Sequence, residues 1–184
     1  MQVRPDHPLN RLFAELVDRH VAKAAGVTDP EMTRYLAGLL VDFTHVDRLY
    51  RIRDARGKRL TDVGEMLIES NPLLNAPSFF YEREVRKHIG DFTLFVAGLF
   101  PEYLYRLPKR GLRVDAFIDY MQAGKESYRV VASFDQFEYR EIAPLFRRLA
   151  ERFELCVYGL NLAKAELEHN QRAWYGSVRQ TLDF

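Results

Sequence analysis

The sequence is poor in the residues that mark the commonest chemistries. It holds one cysteine, Cys156, in 184 residues. A lone cysteine makes no internal disulfide and no C-x-x-C zinc or redox pair. It holds ten glycines, and the closest two, Gly57 and Gly64, are seven positions apart. That spacing excludes a G-x-G-x-x-G dinucleotide turn and a G-x-S-x-G nucleophile elbow. Gly124-Lys125-Glu126-Ser127 resembles the end of a phosphate loop, but the upstream glycine is missing and Glu126 separates the lysine from the hydroxyl. There is no H-E-x-x-H zinc motif and no N-x-S/T glycosylation acceptor. Neither sign of charge prevails: 27 Lys and Arg face 26 Asp and Glu, a net charge of +1. No global field therefore draws the chain to a polyanion.

Long apolar runs are missing as well. The uncharged stretch Phe92–Pro101 is about half the length of a membrane-spanning helix. Residues Met1–Pro8 hold no apolar signal core. The cytoplasm is therefore the expected compartment, and no membrane partner is expected.

What is present is a strong helical period. Leu9, Leu12, Phe13, Leu16, Val17, His20, Val21 and Ala24 form one stripe, which Gly26 should end. Thr28-Asp29-Pro30-Glu31 is a start signal for a second helix carrying Met32, Tyr35, Leu36, Leu39, Leu40 and Phe43. Residues 62–69 read as a short helix. Ser78 can cap the longest one, which should reach Phe100 and buries Val85, His88, Ile89, Phe92, Phe95, Val96 and Leu99 on one face. Further helices are expected over 114–131, over 142–157 with a kink or restart at Pro144, and over 160–170 beyond a break at Gly159. Gly90, Ala97 and Gly98 share one side of the longest helix and predict a close helix crossing, or space for a ligand beside the backbone.

The expectation is an all-α, single globular bundle of six to seven helices over 1–184. The tail 171–184, with Trp174, Tyr175, Leu182 and Phe184, should pack on the body or on a second copy, so a homodimer is one expectation. Only 45–62 resists the helical period. It reads as a helix end and loop, with a charged hairpin as the alternative.

No catalytic motif is complete. The expected function is a non-enzymatic module that binds a partner or itself, without a cofactor. The first alternative is a metal-dependent or small-ligand helical-bundle enzyme. His88 is the leading candidate residue, because it lies on an apolar stripe with Glu84 one turn before it and Asp91 one turn after it. Glu166 with His169 is the one strict Glu-x-x-His pair, and Asp42 with His45 a shorter analogue; both are candidate metal ligands of the kind helical bundles use. The second alternative is a regulator that contacts nucleic acid. Arg51, Arg53, Arg56, Lys58 and Arg59 concentrate positive charge, and Arg106, Lys109, Arg110 and Arg113 add a second cluster. An acidic protein is the expected partner of such a surface. Nucleic acid is not expected, because nothing supplies base readout.

Overall fold

A computed structural model describes residues 8–104 and 113–182. They form ten α-helices and no strand. The helices are α1 (Pro8–Val17), α2 (Pro30–Asp42), α3 (Val46–Leu49), α4 (Val63–Glu69), α5 (Phe79–Leu99), α6 (Pro101–Leu104), α7 (Arg113–Ser133), α8 (Ala143–Glu151), α9 (Phe153–Asn170) and α10 (Arg172–Thr181). A π-helix, Asp18–Ala24, continues α1, and Gly26 ends it at φ 77°. Among the described residues no helix is long and apolar enough to cross a membrane.

The starts arise from side-chain capping. The Asp29 carboxylate accepts from the Glu31 and Met32 amides, with Pro30 in the first turn. Asp62 accepts from the Glu65 amide and Ser78 Oγ from the Tyr81 amide. Each supplies an acceptor that the first turn of a helix lacks.

The bundle is built around α5. From His88 to Phe100 every residue is buried, so the second half of this helix is enclosed on all sides rather than amphipathic. It packs most extensively on α7 and α9, and also on α4 and α2. Phe92, Phe95, Phe100, Tyr128, Phe146 and Phe153 fill the centre, with Phe95 edge-on to Phe43 and Tyr128 against both Phe146 and Phe153.

Glycines set the tightest crossings. A methyl group at Gly90 would stand 2.4 Å from the Tyr128 ring, and one at Gly98 would stand 2.6 Å from Leu160 Cβ. The space beside these glycines is thus filled by α7 and α9, which is the crossing reading and not the ligand one.

Ten helices replace the six to seven expected. Two of the additions, α3 and α6, are single turns, too short to show a period. A third, α10, arises from the tail, where Tyr175 stacks on Phe100 and donates to the Leu99 carbonyl. Trp174 meets Phe13 edge-on, and Phe184 lies outside the described residues. The break expected at Gly159 falls instead at Arg152, between α8 and α9. Gly159 sits inside α9 because a side chain there would strike the backbone of the π-helix: its Cβ would lie 2.8 Å from Val21 Cα and 3.2 Å from the His20 carbonyl.

The segment 45–62 combines both readings. After the α3 turn, Arg53 and Arg59 pair in one isolated antiparallel bridge, closed by a turn with Gly57 at φ 80°. Asp54 Oδ1 accepts from the amides of Arg56 and Lys58 and fixes that turn.

The glycine contacts predict opposite outcomes at two helical positions. Gly159→Ala, which pushes on backbone, should cost about 1–3 kcal/mol. Gly176→Ala in α10, with nothing within 4 Å of the new methyl, should add about 0.4–1 kcal/mol. Urea midpoints at unchanged slope test both, and equal midpoints would refute the crossing geometry.

Candidate functional site

The buried polar groups of α5 gather on one side. Asp91 is 4% exposed and His88 1% exposed. Asp91 accepts three hydrogen bonds. The Tyr35 hydroxyl from α2 and the Tyr128 hydroxyl from α7 (2.8 Å) donate to Oδ1, and Lys87 Nζ, one turn back on α5, donates to Oδ2 at 2.7 Å. Burial alone would push this carboxyl up. The Lys87 ammonium and the two phenols reverse that and hold it below its ordinary value. The phenols respond oppositely: burial, then the Asp91 charge, raises Tyr35 and Tyr128 well above the usual tyrosine range.

His88 adjoins this cluster. The Leu49 backbone lies close enough to favour the protonated ring slightly, and Nε2 has no hydrogen-bond partner among the described residues. Phe43 and Phe92 flank the ring. Burial first, then the nearby Arg51 and Lys87 charges, lowers its pKa from 6.5 to about 3, against the opposing pull of Asp91. The imidazole is therefore neutral, and Nε2 is left as a buried polar atom open to a hydrogen bond.

Both residues line a cleft of about 520 Å³ between α2, α5, the α3–hairpin segment and the start of α8. Leu39, Phe43, Ile142 and Leu145 supply apolar wall. Its acids are largely engaged: Asp42 with Arg48, Glu31 with Arg148, and Asp91 as above. Arg51 lines the cleft while its guanidinium reaches the Glu84 carbonyl at 3.1 Å and the Glu84 carboxylate at 3.7 Å.

No protein-family model, curated protein or solved structure matches this chain.

Of the candidates read from the sequence, His88 and Asp91 come together. Glu84 does not join them; it pairs with Arg83 and Arg51. The metal candidates stay apart. Glu166 binds His20 at 2.8 Å and Arg19 at 2.6 Å, which lowers its pKa, chiefly through His20. His169 and His45 are exposed, and Asp42 holds Arg48. Among the described residues no three His, Cys, Asp or Glu side chains stand close enough to hold a metal. Arg53, Arg56, Lys58 and Arg59 are exposed on the hairpin, whereas Arg51 turns to the cleft. Arg106, Lys109 and Arg110 lie outside the described residues.

Sequence reasoning missed Tyr35, Tyr128 and Lys87. The tyrosines sit on apolar stripes and look like core filling. Lys87 carried a local signal, since it stands four residues before Asp91 on one helix.

These contacts carry consequences for stability. Asp91→Ala leaves a partly buried ammonium and two phenols unpaired and should cost about 3–5 kcal/mol in urea unfolding. His88 gives a pH signature. Above its unfolded pKa of 6.5 the ring is neutral in both states and adds no slope. Below that, the unfolded chain takes up a proton that the folded chain refuses until about pH 3. Stability therefore falls with falling pH, by up to about 1.4 kcal/mol per unit. His88→Phe should flatten this slope over roughly pH 6 to 4. An unaltered slope would mean that the ring is charged in the fold.

Proposed function

We propose that this protein is a small-molecule-binding helical bundle, and that its ligand is a small organic acid bearing a hydroxyl or N–H donor. The observation that carries the reading is the unpartnered Nε2 of His88, 1% exposed on the wall of the cleft. A buried polar atom without a partner costs about 1–3 kcal/mol. A ligand group that hydrogen-bonds to Nε2 removes that cost on binding. Burial is the main cause of the lowered His88 pKa, and the Arg51 and Lys87 charges add to it against Asp91; those two cations favour an acidic group nearby. The apolar wall suits a hydrocarbon or aromatic body.

The same groups favour binding over proton transfer. A general acid or base works best with a pKa near the working pH. His88 is held near 3, Asp91 is held below its ordinary value, and Tyr35 is held well above 10. The cleft is arranged to keep its protons where they are.

The partner-binding reading draws support from a separate feature. Ile68, Leu73, Leu74, Phe79 and Phe80 are all exposed between the end of α4 and the start of α5.

The binding reading is tested by thermal shift and calorimetry with a panel of hydroxy acids, including malate, citrate and 4-hydroxybenzoate. Matching acids without the hydroxyl serve as controls. At least one hydroxy acid should bind, and its affinity should fall about tenfold or more in His88→Phe and in Arg51→Met. Binding that survives both substitutions, or a panel with no binder, would overturn the proposal.

A further inference from the structure

We infer that the turn between α4 and α5, together with the adjoining basic hairpin, is a docking face for an anionic lipid surface. From Ser70 to Tyr81 the chain carries no charged side chain. Within that stretch Leu73 is 91% exposed, Phe79 71%, Leu74 64% and Phe80 62%. Four large apolar side chains that close in sequence and this exposed are the kind of group that soluble surfaces otherwise avoid.

The basic hairpin is fastened to this turn. The Tyr81 hydroxyl, three residues into α5, donates to the Arg53 carbonyl at 3.3 Å and to Glu69 at 3.1 Å. Asn75, at the end of the turn, reaches the other oxygen of Glu69 at 3.4 Å. Glu69, the acid nearest the patch on the α4 side, is therefore turned inward. Glu82, the first acid beyond it, is within electrostatic reach of Arg86. The hairpin presents Arg53, Arg56, Lys58 and Arg59, all exposed. Arg53 Nη1 donates to a carbonyl, that of Gly57, and pairs with no acid among the described residues. The pairs Lys58–Glu65 and Arg59–Asp47 are surface pairs, which hold their cations weakly.

Apolar side chains beside arginines and lysines match the two layers of a membrane surface. Leucine and phenylalanine enter the acyl boundary while the cations meet anionic headgroups. A second copy of the chain fits less well, because a symmetric contact through this patch would bring two basic hairpins together. A rigid protein surface would need pockets shaped to these four side chains, whereas lipid imposes no such demand. A surface contact requires no membrane-crossing helix, so it is compatible with the lack of one among the described residues.

The test is co-sedimentation of the full chain with phosphatidylcholine vesicles, with and without phosphatidylserine. Binding should need phosphatidylserine and weaken as salt rises. It should fall about tenfold or more in Phe79→Ser/Phe80→Ser and in Arg53→Glu/Arg56→Glu. Circular dichroism checks that each variant folds. An environment-sensitive dye on Leu73→Cys gives a second readout in the otherwise unaltered chain, since Cys156 is buried. Its emission should shift to the blue on phosphatidylserine vesicles. The inference is overturned by no binding, by equal binding to neutral vesicles, or by binding that survives both double substitutions. It is also overturned by a wild-type dimer that Phe79→Ser/Phe80→Ser splits, or by binding to polyglutamate with none to vesicles.

Discussion

One buried carboxylate ties the bundle together. Asp91 sits on the central helix and takes a phenol from α2, a phenol from α7 and an ammonium from its own helix. A charge in the interior is tolerated only where such donors surround it. The positions of α2 and α7 relative to α5 are therefore specified by hydrogen-bond reach and not by apolar packing alone. Gly90 belongs to the same constraint, because only a residue without a side chain lets the Tyr128 ring lie across α5 one residue before the carboxylate. His88 is carried on the same turn, and the cleft opens where α2 and the α3 segment leave its Nε2 uncovered by any polar partner. The polar cluster thus fixes the geometry of the bundle and places one wall of the cleft.

Much of the helical framework was legible in the sequence, because long helices repeat their apolar faces several times and carry capping residues. Asp29, Ser78, Pro144 and Gly26 mark ends that the fold uses. The misreadings have physical causes. The single turns α3 and α6 contain less than two periods. The α8–α9 break at Arg152 involves neither glycine nor proline, whereas Gly159 serves an interhelical contact that no local rule can reveal. The candidate site was half legible. His88 and Asp91 are neighbours on one helix, so their spacing exposes them. Tyr35 and Tyr128 reach Asp91 from 56 and 37 residues away, and their stripes differ in no way from those of ordinary core aromatics. Glu166 shows the converse: its i+3 histidine is exposed, and its carboxylate goes to His20, 146 residues distant.

The hairpin links the cleft to the apolar turn. Along three consecutive residues Arg51 lines the cleft, Ile52 is buried, and Arg53 gives its carbonyl to Tyr81 beside the apolar turn. These three residues therefore connect the wall of the cleft to the start of α5 beside the exposed patch.

The π-helix at Asp18–Ala24 bears on how this fold tolerates a change in chain length. Its Ala25 amide bonds to the His20 carbonyl, five residues back, where an α-helix would bond four back. Such a segment is an α-helix that has taken in an extra residue. Loss of one residue here would let the chain close into a continuous α-helix at no cost in backbone bonding. It would also rotate everything before the deletion by about 100° relative to the residues after it. The Val21 backbone would then leave its seat against Gly159, and His20 would leave Glu166. The register of this segment is where a one-residue deletion, harmless to the helix itself, would undo the contact between the π-helix and α9.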